Sequence, residues 1–135
     1  MIVSLHVATG AVAGIAARSR VGAVVLGALA HFLGDRVPHY DVGDRRFEIW
    51  SGAAALAAVA VRRGPLDPAT IGAAAGSAPD LEHVVPLPRP GGRKLFPSHR
   101  IRGWHRSGGL STSTQVLAAG ILLGLVLAPR RRSDA

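Results

Sequence analysis

The sequence predicts an all-α protein, a compact bundle of about five short apolar helices that crosses a membrane several times and holds a metal site at one end. Two observations indicate the fold: 48% of the residues are hydrophobic while 18% are charged, and the apolar segments lack a polar face at helical spacing. A third, the position of all 6 histidines, indicates the metal site. Residues 1–135 form a single helical membrane domain, since a chain of this length has no room for two cores.

The predicted helices are the apolar segments 3–17, 21–34, 47–61, 69–78 and 110–128. A spanning helix needs about 20 apolar residues, and only the last segment reaches that length. We therefore expect a thin bundle in which some helices are half-buried or re-entrant. Pairs of glycines four apart predict close helix contacts within lipid; they are Gly10 with Gly14, Gly72 with Gly76, and Gly120 with Gly124.

If consecutive helices run in opposite directions, arginines collect at one end of the bundle and histidines and acidic residues at the other. One end collects arginines and no histidine: Arg18, Arg20, Arg62, Arg63, and Arg130, Arg131 and Arg132 in a basic tail at 129–135. The other end carries two loops, at about 31–46 and 79–109, that hold most of the candidate metal ligands. These candidates are His6, His31, Asp35, His39, Asp80, His83, His99 and His105.

The ligand types indicate which metal to expect. The chain has no cysteine, so imidazole and carboxylate groups must hold the ion, which suits zinc first and also manganese or iron. His31 and Asp35 are four apart at a predicted helix end, which places both side chains on one face of the helix. Because ionisable side chains are costly in lipid, their concentration at one end indicates a shared function.

Two acidic residues and two arginines are candidates for the chemistry. Asp41 or Glu82 would accept a proton from water. Arg100 and Arg106 lie beside the last two histidines, and guanidinium groups match phosphate oxygens. The net charge of +8 comes from short basic clusters without a continuous stripe. The expected partners are therefore membrane lipid and a phosphate-bearing substrate, and nucleic acid is not expected; Trp104 is expected to anchor at the membrane interface.

Two elements, PDLEH and HRIRGWHRS, carry a family resemblance. Together they resemble the LexA-binding, inner-membrane-associated metal-dependent hydrolases. The matching residues are Asp80, Glu82 and His83 in the first element and His99, Arg100, His105 and Ser107 in the second. This chain departs from the family pattern because Glu82 replaces an aspartate and Arg106 stretches the second element. The resemblance implies metal-dependent hydrolysis at the bacterial cytoplasmic (inner) membrane.

A second segment, HFLGDRVPH, is similar to part of the zinc site of zinc-dependent phospholipase C. That similarity implies a cluster of zinc ions and phosphoester hydrolysis. The leading hypothesis is thus a membrane-embedded metal-dependent hydrolase of phosphoesters such as phospholipid headgroups. Two alternatives stay open: a non-catalytic metal-binding membrane protein that is structural, a sensor or a docking partner, and a soluble helical bundle of the phospholipase C type.

Overall fold

Five helices of ten residues or more make up most of the computed structural model, which describes residues 1–129. They are α1 (Val3–Ala17), α2 (Arg20–Gly34), α3 (Arg45–Arg63), α4 (Pro68–Ser77) and α7 (Thr112–Leu127). Short turns connect α4 to α7: a 3-10 turn (Ala78–Asp80), α5 (Leu81–Val84), a 3-10 turn (Pro90–Gly92) and α6 (Pro97–Arg100). Residues 1–129 contain no β-strand, so the all-α prediction is confirmed. Most of the predicted tail, 130–135, lies outside the described residues.

Polar caps set where the helices begin. The side chain of Asp44 accepts hydrogen bonds from the backbone N–H groups of Arg46 and Phe47. A cap of this kind satisfies N–H groups that have no partner within the helix. As a result α3 begins at Arg45, two residues before the predicted start. Ser111 likewise caps α7 by accepting from the N–H of Thr114.

α1 is the central helix and packs against α2, α3, α4 and α7. Val7, Ala8 and Ala11 on α1 are fully buried, which explains why this helix has no polar face. α1 and α4 approach so closely that a Cβ atom on Gly72 would overlap the carbonyl oxygen of Gly10. The first two glycine pairs therefore bring helices together inside the protein, whereas a Cβ on Gly120 or Gly124 would meet nothing within 4 Å.

The prediction of a multi-pass membrane protein in the bacterial inner membrane is wrong. No helix within residues 1–129 is both long and apolar enough to cross a membrane. α1 and α2 have 15 residues each, and at a rise of about 1.5 Å per residue they fall short of a hydrocarbon layer about 30 Å thick. α3 has 19 residues but carries arginines at both ends.

Trp104 is also not the membrane anchor that the sequence indicated. Its indole N–H donates to the carbonyl oxygen of Phe32 at 2.8 Å, and the two rings pack with centroids 4.2 Å apart. The guanidinium of Arg36 lies 5.5 Å from the centre of the indole ring. This contact attaches the loop after α6 to the end of α2, and so helps to position the histidines of that loop.

Candidate metal centre

Four separate parts of the chain meet at one end of the bundle. α1 contributes His6 from its first turns, and α2 contributes His31 and the capping residue Asp35. The 3-10 turn after α4 contributes Asp80, and α6 contributes His99. We call these five residues the buried cluster. Each comes from a helix end or a turn, so the packing of α1, α2 and α4 fixes their relative positions.

Asp35 is at the centre of the buried cluster, and ring nitrogens approach both of its oxygens. Its Oδ2 lies 3.0 Å from Nε2 of His31 and 3.4 Å from Nε2 of His99. Its Oδ1 lies 3.2 Å from Nε2 of His6. His6, His31 and Asp35 are each exposed by 1% or less, so bulk water does not solvate these atoms.

The ring of His31 shows which of its nitrogens can bind a cation. Nδ1 lies 2.8 Å from the carbonyl oxygen of Gly76, and a carbonyl only accepts, so Nδ1 carries the proton. With the proton on Nδ1, the neutral form of the ring presents the lone pair of Nε2 toward a carboxylate oxygen of Asp35. Two hydrogen-bond acceptors that face each other repel, because both carry lone pairs. A cation bound between Nε2 of His31 and the carboxylate of Asp35 would be attracted to both.

Several buried atoms of the cluster have no hydrogen-bond partner. They are both ring nitrogens of His6, Nε2 of His31, Oδ2 of Asp35 and Oδ2 of Asp80. Buried polar atoms without partners are rare and costly in proteins. Ligands of a tetrahedral zinc ion lie about 3.3 Å apart, given zinc–nitrogen bonds of about 2.0–2.1 Å. The 3.0–3.4 Å separations around Asp35 match that spacing, so these residues fit a metal ion.

Asp80 connects the buried cluster to the surface. Its Oδ2 lies 4.0 Å from Nε2 of His6, and its Oδ1 lies 3.8 Å from Nε2 of His99. The side chain is 16% exposed and lines a cavity of about 570 Å³ together with His99 and His105. An ion held by the cluster would therefore be within reach of a small molecule in this cavity.

Glu82, one of the two predicted proton acceptors, contacts the ring of His99. Its Oε1 accepts the Nδ1–H of His99 at 2.5 Å, and its Oε2 accepts the backbone N–H of Leu95 at 2.7 Å. Glu82 is 2% exposed and does not line the cavity. A carboxylate on the far nitrogen of a histidine directs the near nitrogen toward a metal.

His39 and His105 lie at the edge of the buried cluster. Nε2 of His105 is 3.8 Å from Oδ1 of Asp35, and its side chain is 39% exposed. Nδ1 of His39 donates to the carbonyl of Val37 at 2.7 Å, while its Nε2 contacts the amino group of Met1. Asp41, exposed in the cavity wall, comes within 3.5 Å of Nε2 of His39. With His105 these two form a second group that could hold a metal.

His83 is exposed, unlike the histidines of the buried cluster. Its ring lies 4.5 Å from the ring of His99, and with Asp80 and His99 it forms a further group of potential ligands. Nζ of Lys94 approaches both nitrogens of His83 at 3.4 Å. Partial loss of hydration around the ring and this neighbouring cation lower the pKa of His83 to about 4.

Two residues of the buried cluster, His6 and Asp35, are held in the forms that bind cations. In contrast, burial raises the pKa of Asp80 to about 6, and hydrogen bonds to Asp35 and Glu82 outweigh burial and raise the pKa of His99. Burial lowers the pKa of His6 to about 3, which keeps its ring neutral. Burial also acts to raise the pKa of Asp35, but its contacts with His31, His6 and His99 outweigh burial and hold the pKa below its ordinary value. Neutral imidazole and ionised carboxylate are the forms that ligate metals.

The positively charged residues that line the cavity at the metal site are not the two arginines predicted to bind substrate. Arg100 lines a second cavity, beside His99, whereas the exposed side chain of Arg106 lines neither cavity. Arg45 and Lys94, which sequence reasoning missed, line the first cavity. Arg45 lies six residues after His39, but this spacing alone does not show that its side chain lines the cavity.

Comparisons with protein-family models, with curated proteins and with solved structures return no match for this chain. The two family resemblances in the sequence therefore stay predictions. The case for a function depends on the geometry of the buried cluster and the cavities next to it.

Proposed function

We propose that this protein is a metal-dependent hydrolase that cleaves phosphoesters. One observation carries the proposal: buried ring nitrogens and carboxylate oxygens, unpaired with any hydrogen-bond donor, meet at the base of a cavity of about 570 Å³. Oxygen and nitrogen ligands without cysteine suit zinc, with manganese or iron as alternatives. The buried cluster of His6, His31, Asp35, Asp80 and His99 would hold the ion.

In this proposal each residue has a distinct task. His31 and Asp35 hold the ion from the α2 side, and Glu82 keeps His99 turned toward it. A bound divalent ion supplies Lewis acidity and lowers the pKa of a water ligand. Asp41 lines the cavity and is exposed, so its carboxylate can accept a proton from a water molecule there.

The cavity favours catalysis over a purely structural metal site. Structural zinc sites are closed by four protein ligands, whereas catalytic sites keep one position open to water or substrate. Asp80, His99 and His105 line the cavity wall, so the ion would have one accessible side. This accessibility distinguishes the hydrolase proposal from a sensor or scaffold.

The test is elemental analysis of the purified full chain, followed by hydrolysis assays on p-nitrophenyl phosphate and bis-p-nitrophenyl phosphate. We expect stoichiometric zinc or manganese, lost in Asp35→Asn and retained in the control Arg102→Gln, whose side chain is exposed and lines neither cavity. Hydrolysis should disappear with a chelator and return with metal. A wild-type chain without metal after reconstitution would exclude the centre. Full metal occupancy with no hydrolysis of either ester would support a non-catalytic role.

A further inference from the structure

A second cavity, of about 530 Å³, lies next to the first. Its lining is Arg93, Lys94, Pro97, His99, Arg100 and Ile101. Lys94, His99 and Ile101 line both cavities, so the two spaces meet at a residue of the buried cluster. A molecule that reaches the metal centre past His99 could therefore extend into the second cavity.

The two cavities differ in charge. The first is lined by four carboxylates, those of Asp41, Asp44, Glu48 and Asp80, together with the cations of Arg45 and Lys94. The described lining of the second contains three cations and no carboxylate. Glu82, which is hydrogen-bonded to His99, already accepts two hydrogen bonds and does not line the second cavity. The lining of the second cavity therefore carries a positive charge, whereas the neighbouring first cavity is rich in carboxylates.

Two of the three cations of the second cavity, Arg93 and Arg100, are also free to bind. Within residues 1–129, no hydrogen bond or ion pair engages the guanidinium group of Arg93 or Arg100. Other arginines of the chain, such as Arg63, donate to backbone carbonyls. Two guanidinium forks and an ammonium group around one concave space match the oxygens of a phosphate group.

We propose that this second cavity binds a phosphate group of the substrate, so that the substrate is a phosphoester carrying a second phosphate beside the one that reaches the metal centre. The inference rests on the proposed function for the identity of the reacting group. The binding of phosphate by Arg93, Lys94 and Arg100 does not require a metal ion, and this makes the two claims separable.

The experiment is calorimetric titration of inorganic phosphate into EDTA-treated full-length protein at low salt. We expect Arg93→Gln/Arg100→Gln to bind phosphate about tenfold more weakly than wild type. The matched control is Arg102→Gln/Arg106→Gln, which removes the same charge from exposed residues of the same loop that line neither cavity. Equal losses in both variants, or no loss in the first, would overturn the proposal.

Two further experiments test the phosphate site separately from the hydrolase proposal and distinguish a lipid phosphate from a small-molecule phosphate. In metal-loaded protein, pyrophosphate should bind more tightly than phosphate, and Arg93→Gln/Arg100→Gln should remove that advantage. Arginine-dependent phosphate binding by a chain that takes up no metal would support the cavity and refute the hydrolase. Sedimentation with phosphatidylcholine vesicles containing phosphatidic acid, lost in the same variant, would identify a lipid phosphate; phosphate binding without sedimentation would identify a small molecule. Both results support the site.

Discussion

The two ends of this bundle differ in whether their polar side chains have hydrogen-bond partners. At the arginine end, defined by Arg20, Arg62 and Arg63, the side chains donate to the backbone carbonyls of Leu66, Leu127 and Val126 at 2.8–3.2 Å. At the histidine end, five nitrogen and oxygen atoms of the buried cluster have no hydrogen-bond partner within residues 1–129. Cations that satisfy terminal carbonyls stabilise helix ends. Unpaired buried acceptors destabilise the protein unless something binds them, so the arginine end stabilises the fold and the histidine end is the one proposed to bind a metal.

The largest effect should come from the helix contact that joins the two ends. Gly72→Ala places a Cβ against the backbone of α1, at Gly10 and Gly14, and should reduce the free energy of unfolding by about 3 kcal/mol. Chemical denaturation measures this loss. The control Gly120→Ala, whose Cβ meets open space, should instead gain about 0.5–1 kcal/mol. An unchanged midpoint for Gly72→Ala would show that α1 and α4 pack less closely than described.

The next largest effect should be the stabilisation of the protein by zinc, which depends on residues at the histidine end. Zinc at about a hundredfold excess over its Kd should raise the free energy of unfolding by about 2.7 kcal/mol, because the ion binds only the folded chain. Asp35→Asn should remove this zinc-dependent gain, since Asp35 contacts three ring nitrogens. Thermal unfolding with and without zinc measures it. A full gain in Asp35→Asn would place the ion elsewhere.

A smaller effect tests how His99 is oriented. Glu82→Gln should weaken metal affinity by about 10–100-fold, because an amide holds the Nδ1–H of His99 less strongly than a carboxylate does. Competition with a chromophoric chelator measures the affinity. Glu48→Gln is the control, since Glu48 accepts from the N–H of Val3 and touches no residue of the buried cluster. Equal affinities for wild type and Glu82→Gln would contradict the orienting role.

The smallest effect should be the loss of stability caused by a substitution at the arginine end. Arg63→Met keeps an apolar stem but removes the hydrogen bond to the carbonyl of Val126, which should cost about 1 kcal/mol of stability. Zinc affinity should not change. If metal affinity fell together with stability in this variant, the two ends would be coupled and the contrast between them would not hold.

The helices and the ligand types could be predicted from the sequence. Helix 3–17 has the same bounds in the structure, and the spacing of His31 and Asp35 does place both side chains in one site. The membrane prediction was wrong because a helix buried on every side by protein shows the same pattern as one surrounded by lipid. Most of α1 is buried in this way, although Val12 and Ile15 are about two-fifths exposed, and its 15 residues are too few to cross a membrane.

Other features of the site depend on contacts that spacing rules do not describe. Glu82 meets a histidine 17 positions further along the chain, so its orienting role follows from the path of the intervening loop. The positive second cavity likewise depends on how residues 93–101 fold back beside the buried cluster. The sequence showed arginines near histidines, but it could not show which of them share a concave surface.

Gln115, near the start of α7, has a consequence for how the protein matures. Its buried side chain accepts from the N–H of Ile2 and donates to the carbonyls of Tyr40 and Leu110. Two distant segments, at Ile2 and Tyr40, therefore depend on a residue that leaves the ribosome after every candidate ligand of the metal centre. A nascent chain would expose all its histidines before α7 could hold the scaffold together, so we expect any metal loading to follow synthesis and a chain shortened before α7 not to retain a metal ion.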